Sequence, residues 1–265
     1  MKLIKIPYTS FKTSKFIFGT GRIVNIYSKS KRLSLINSAI NAGFTHFDTA
    51  PYYGFGNSEK DLGIVLKNKH NITISSKVGL HYPGRENQSM NEVFFRKIFG
   101  KFFTKFSRPL VDFTIQMAEK SLHASLRRLN KEIIDIYLLH DASLNLLYTE
   151  EWQKWVEKIK FEGKINLFGI STNSKNLQTF FYKNSYKIFD IIQIQDSLIQ
   201  KDADILKKIN LNPQITFGYI SDLTKRRSKI DIKLLIKKII FRNKTNAIIV
   251  SSRNIKNINI YKDIE

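Results

Sequence analysis

Asp48, Tyr53, Lys77 and His140 combine the side-chain types that reduction of a carbonyl needs, and each ends or closely follows a short apolar run. When hydride reaches the carbon of a ketone or aldehyde, the oxygen gains negative charge and requires a proton. A phenol can give one, but its ordinary pKa of about 10 makes it a reluctant donor near neutral pH. A neighbouring ammonium favours phenolate and so lowers that pKa. A carboxylate keeps the ammonium charged where water is scarce. An imidazole can hold the carbonyl oxygen by a hydrogen bond and fix its orientation. Singly, the four read as a turn cap, a solvated lysine, a rim histidine and a loop tyrosine. Packing alone asks for no such set at successive strand ends.

The elements that must position them alternate along the whole chain. Strand-like runs occupy 15–19, 44–50, 72–79, 133–140, 165–171, 189–195, 213–220 and 247–252, several of them almost continuously apolar, as for parallel strands covered by helices. Helical periodicity fills 31–42, 112–129, 150–161, 174–183, 201–210 and 231–241, and resumes at 254. Gly43 stands where a helix would stop, and Ser58 where another would be capped. The alternation predicts an α/β fold, a (β/α)8 TIM barrel forming a single domain over 1–265. An open doubly wound sheet is the alternative, but GTGR (19–22) lacks the third glycine of a phosphate loop. Parity supports the barrel. Phe44, His46 and Asp48 share one face of the second strand, Thr73, Ser75 and Lys77 of the third, and Ile134, Ile136, Leu138 and His140 of the fourth. If those faces point inward, the acid, the ammonium and the imidazole emerge together at the C-terminal rim, where barrel enzymes place their chemistry. Tyr53 follows in PYYGFG, whose glycines let the loop turn back over the site.

Composition narrows the classes. The 265 residues are 42% hydrophobic, enough for a buried core, and include no cysteine, which excludes disulfides and thiolate metal sites. His46, His70, His81 and His123 are too scattered to suggest a metal site. The opening MKLIKIPYTSFKTSKF has no signal-peptide core, and no run is long and apolar enough to span a bilayer, so a cytoplasmic enzyme is expected. The net charge of +22 is spread over nearly every segment alongside abundant isoleucine and asparagine. It reads as compositional bias rather than a nucleic-acid surface, with steering of anionic ligands as a consequence.

FDTAPYYGFGNSEKDLG (47–63), SSKVG (75–79) and SLHASLRRLNKEIIDIYLLHDA (121–142) resemble the aldo-keto reductase family over most of the chain. The resemblance implies oxidoreduction between a small-molecule carbonyl and an alcohol with NADP, NAD being possible. By motif position it makes Tyr53 the general acid/base, Lys77 and Asp48 its tuning pair, and His140 the group that orients the carbonyl. Tyr53 is preferred to Tyr52 because the family's tyrosine directly precedes the glycine. LLHDA resembles the branch containing sugar and aldose dehydrogenases, which favours a hydroxylated substrate.

For the cofactor, the resemblance implies contacts from Gly19, Thr20, Ser171, Gln193, Ser252 and Arg253, with Thr172 standing where the family has asparagine. An aromatic after the seventh strand, Phe217 or Tyr219, would stack on the nicotinamide. Asn257 stands where the family has a later arginine, which leaves NADP against NAD open. The chain ends soon after its eighth helix begins, where many relatives continue into a substrate loop. The long segment 80–111, with Phe94, Phe95, Phe99, Phe102, Phe103 and Phe106 among basic residues, is the expected substitute wall. Trp152 and Trp155 are expected to anchor a helix to the barrel. The alternative reading is a non-catalytic cofactor-binding barrel that regulates a partner protein. Oligomeric state is not legible.

Overall fold

Eight parallel strands close into a barrel in this computed structural model, which describes residues 1–85, 88–100, 103, 107–147, 149–220 and 231–262. They are β1 (Phe16–Gly19), β2 (His46–Asp48), β3 (Thr73–Val78), β4 (Ile134–His140), β5 (Ile165–Thr172), β6 (Ile191–Gln195), β7 (Ile215–Phe217) and β8 (Ala247–Val250). Each pairs with its successor, and β8 returns to β1 with Ile249 opposite Ile17. The helices are α1 (Lys29–Asn41), α2 (Asn57–Leu66), α3 (Met90–Phe99), α4 (Ile115–Leu129), α5 (Thr149–Phe161), α6 (Ser174–Thr179), α7 (Ile232–Arg242) and α8 (Ile255–Asn259). The (β/α)8 expectation holds. Among the described residues, no helix is long and apolar enough to cross a membrane.

Local departures have local causes. The run 201–210 forms 3-10 turns over Asp202–Ile209 rather than an α-helix, entered and left through left-handed Lys201 and Asn210. Residues 174–183 split into α6 and a 3-10 segment, Tyr182–Ile188. Ser58 does not cap α2. Gly56, at φ 84°, holds that position, and the Ser58 hydroxyl instead donates to Thr20 Oγ1 at 2.6 Å and lies 3.0 Å from Thr49 Oγ1. Phe44 leaves the strand pattern because Gly43 (φ 91°) turns the chain there, and its ring packs edge-on against Phe18 and Tyr261 in the outer layer. Ile134 also joins the outer cluster. Trp152 is buried, stacks on Phe168 and donates from Nε1 to Phe113 O at 3.0 Å, while Trp155 meets it edge-on.

The barrel interior below the rim holds an apolar cluster. Ile17, Ile136, Leu138, Ile191 and Ile215 fill it together with Ile6. Ile6 arrives on a hairpin that the sequence reading did not foresee, Leu3–Lys5 paired with Lys12–Ser14, which closes the N-terminal end of the barrel. Its Phe11 meets the His46 ring edge-on.

His46 is fully buried, its Nδ1 2.7 Å from Thr73 Oγ1 and its Nε2 without a partner among the described residues. Burial, reinforced by the Lys77 charge, lowers its pKa to about 3. The folded state therefore takes up its proton later than the unfolded chain, whose histidine titrates near the ordinary value of about 6.5. Stability from this residue is complete above about pH 6.5 and is lost progressively as pH falls toward 3, by up to about 1.4 kcal/mol per pH unit. Urea unfolding from pH 7 to pH 4 should show that slope, and His46→Met should flatten it. An equal slope in both proteins would refute the assignment.

Candidate active site

The four residues singled out by type converge at the C-terminal rim. Asp48 ends β2 opposite Gly19 of β1 and Ser75 of β3, and His140 ends β4 opposite Ser171 of β5. Lys77 Nζ donates to Asp48 Oδ2 at 2.7 Å, Thr49 O at 2.8 Å and Tyr53 OH at 3.3 Å, which uses all three ammonium hydrogens. Asp48 Oδ1 accepts from Ser75 Oγ and from Gln193 Nε2, both at 3.2 Å. Lys77 and Asp48 are almost wholly buried, whereas Tyr53 and His140 are partly exposed through the cavity they line. Their rings stand perpendicular at 5.9 Å between centroids. The loop from β2 to Tyr53 is seated by Gly54, at φ 58°, where a Cβ would come within 2.6 Å of Val24 Cγ1. Only glycine tolerates both the conformation and the approach.

Electrostatics separate the roles. Burial alone would lower the Lys77 ammonium, but Asp48 and Tyr53 beside it outweigh that and the net shift is upward, so it stays charged. Burial pushes the Tyr53 phenol up, Lys77 pulls it down and Asp48 pushes it up again. The net direction is upward, against the lowered value expected from the ammonium alone, because a buried phenolate loses more hydration than one cation returns. Burial, then Lys77, holds His140 well below the ordinary histidine range, so its imidazole is neutral. The arrangement offers a neutral phenol and a neutral imidazole facing one space, backed by a fixed cation.

That space is a cavity of about 330 Å3. It is lined by Gly19, Ser171, Thr172, Gln193 and Phe217 among the residues expected near a cofactor. Thr20, Ser252 and Arg253 are placed elsewhere. Thr20 is fully buried, its hydroxyl donating to Asp48 O at 3.0 Å and accepting from Ser58. Ser252 Oγ is spent on the backbone of Asn254, which caps α8, and Arg253 is exposed. Of the two aromatics, Phe217 reaches the cavity, while Tyr219 is buried with its hydroxyl on Asp196 and Asn243.

The sequence reading missed Arg22, Asp141, Asn173 and Gln195 on the lining, while Leu80 belongs to the expected wall 80–111. Asp141 and Asn173 directly follow His140 and Thr172, so strand-end adjacency was an available signal. Of segment 80–111, Leu80 joins the wall; elsewhere Tyr52 OH donates to Ser107 O at 2.6 Å and Phe94 meets Tyr27 edge-on. Phe95, Phe99 and Phe103 are exposed, and Phe102 and Phe106 lie outside the described residues.

The model of the Aldo/keto reductase family matches residues 15–217, more than half of the chain and every element that carries the four residues. The chain belongs to the aldo-keto reductase family. Among curated relatives, the NADH-specific methylglyoxal reductase of Escherichia coli is 28% identical over 174 residues, covering 64% of this chain and 49% of that protein. The D-threo-aldose 1-dehydrogenase of a Pseudomonas species is 30% identical over 165 residues, covering 58% and 49%. This aldo-keto reductase chain thus spans about half the length of the curated relatives it matches. The fold extends further. An aldo-keto reductase from Klebsiella pneumoniae, solved in complex with NADPH, superposes with a TM-score of 0.67 at 16% identity over 99% of this chain and 90% of the other.

Proposed function

We propose that this chain interconverts an aldehyde or ketone and the corresponding alcohol, using NADPH or NADH, with Tyr53 as the proton donor in reduction and acceptor in oxidation. The observation that carries the reading is the Tyr53–Lys77–Asp48 chain of contacts, at 3.3 and 2.7 Å, opening onto a cavity that His140 also lines. Neutral His140 donates to the carbonyl oxygen and orients it. Tyr53 gives its proton to the same oxygen as charge develops there. Lys77 stabilises the phenolate that remains, and Asp48 keeps Lys77 charged and aimed. When bound, the nicotinamide cofactor supplies the hydride.

The chain's own residues fit such a cofactor. Gln193 donates from Nε2 to Ser171 Oγ at 2.9 Å, while its Oε1 is buried without a partner among the described residues. A buried acceptor left open costs stability unless a ligand serves it, and a carboxamide N–H would do so. Ser171, Thr172 and Gln193 are assigned to that group, and Phe217 to the face of the ring. Arg253, exposed before α8, is assigned to a phosphate of the adenosine half; NADPH is the first candidate only if that phosphate is the 2′-phosphate, and NADH is the other. The relatives' names, a methylglyoxal reductase and an aldose dehydrogenase, support a small, oxygen-rich carbonyl substrate.

Titration of the protein with NADPH and NADH by fluorescence, followed by single-turnover oxidation of the bound cofactor with a panel of aldehydes, tests this. Saturable binding of at least one cofactor and its oxidation by some aldehyde are expected. Binding without any oxidation would leave a regulatory barrel and reject the catalytic reading.

A further inference from the structure

We infer that Arg22 makes this site selective for anionic carbonyl compounds, binding a carboxylate or phosphate carried by the substrate whose carbonyl Tyr53 protonates; this rests on the oxidoreductase reading above. Among the described residues, Arg22 is the one lysine or arginine on the cavity lining, and its side chain makes no hydrogen bond or ion pair there. The acids of the lining are committed. Asp48 is held by Lys77, Ser75 and Gln193, and Asp141 Oδ1 accepts from Thr172, Asn173 and Asn176. Asp141 has only neutral donors, and among the described residues Arg22 is the one cation of the lining without a carboxylate in contact.

Its position is set by the phenol. A Cβ on the preceding Gly21 would lie 3.4 Å from Tyr53 Cε2 and Cζ, so the main chain passes directly along that ring. The Arg22 Cα follows about 3.8 Å further on. The strand-to-helix loop is stiff. Ile23 N bonds Thr20 O at 3.1 Å, Asn25 N bonds Arg22 O at 3.2 Å, and Ile23 and Val24 are buried. Arg32, ion-paired with buried Asp61, also donates to Ile26 O and Tyr27 O. A guanidinium that lines the cavity, partly withdrawn from water and carried on a loop whose preceding residue lies against the Tyr53 ring, presents a planar fork that matches carboxylate and phosphate oxygens. The net charge of +22 draws such anions in. The phosphates of a cofactor share that chemistry, so the test must separate the two sources.

The probes are 4-carboxybenzaldehyde and its uncharged isostere 4-formylbenzamide, turned over with NADPH by the wild type, Arg22→Met and Arg22→Lys. The wild type should prefer the carboxylate. Arg22→Met should lower kcat/KM for it ~10- to 100-fold, mainly through KM, as expected for one charge-assisted pair. The amide should change less than about 3-fold, Arg22→Lys should restore part of the loss, and the fluorescence Kd of NADPH should not move. Benzoate, titrated by calorimetry into protein saturated with NADP, should bind the wild type and not Arg22→Met. Equal use of both aldehydes by the wild type, or equal loss of both in Arg22→Met, overturns the inference while leaving carbonyl reduction intact. A weakened NADPH Kd that accounts for both losses assigns Arg22 to the cofactor and likewise overturns it. Reduction of neither aldehyde, nor of any other in the panel, sinks the parent reading instead.

Discussion

Tyr53→Phe should lose about 10²- to 10⁴-fold in kcat for whichever aldehyde the protein reduces, while the Kd for cofactor stays within about 3-fold. The change removes one oxygen and leaves the ring in place against Gly21. Among the described residues, that hydroxyl's one hydrogen bond is from Lys77 Nζ at 3.3 Å, a long bond whose loss costs little stability. Under the proposed mechanism the effect on turnover is large because the proton cannot come from elsewhere at comparable geometry. His140 is neutral and a poor acid, and Lys77 already spends hydrogens on Asp48 and Thr49 O. Tyr52→Phe is the internal control. Its hydroxyl donates to Ser107 O, away from the tetrad, so turnover should change by no more than a few-fold. Steady-state kinetics and fluorescence titration of both variants decide the matter. Collapse of turnover in Tyr52→Phe rather than Tyr53→Phe would move the acid by one residue and refute the assignment.

What made these residues legible was period, not propensity. Asp48, Lys77 and His140 each fall on the inward parity of a strand whose register could be counted from its apolar run, and closure of the barrel carries inward parity to a common rim. Where the reading slipped, a tertiary partner had claimed the side chain. Ser58 has the chemistry of an N-cap, yet its hydroxyl is held between Thr20 and Thr49, and left-handed Gly56 starts the helix. The family resemblance placed Thr20 toward a cofactor, but the strand's alternation turns it outward into the same buried cluster. Phe217 and Tyr219 are two residues apart and share a nominal face. Gly218, at φ 110°, breaks the alternation between them and sends Tyr219 to Asp196. The hairpin that plugs the barrel was invisible because short, mixed strands carry almost no periodic signal. Arg22 was passed over because nothing in GTGR distinguishes a cavity arginine from a solvated one until Gly21 is seen against Tyr53.

Removal of Lys77 separates its two duties, holding Asp48 and tuning Tyr53. Lys77→Met leaves Asp48 nearly buried with, among the described residues, only Ser75 and Gln193 as side-chain donors, and breaking such a pair costs about 3–5 kcal/mol. A Tm several degrees lower, measured by calorimetry, is the expected result. The double variant Asp48→Asn, Lys77→Met removes both charges, so most of that stability should return. Activity should not return with it. In the native site Lys77 pulls the phenol down by charge and by hydrogen bond, while Asp48 pushes it up by a smaller amount. Deleting both therefore raises the Tyr53 pKa further. In the proposed mechanism alcohol oxidation needs the phenolate, so its rate climbs with pH only as that proton leaves. The rising limb of kcat against pH for oxidation should move to higher pH in the double variant, and its value at pH 7 should fall by about 10-fold for each pH unit of displacement. A double variant with native stability and an unmoved limb would show that the ammonium only fastens the rim together, and that the phenol is tuned by burial alone.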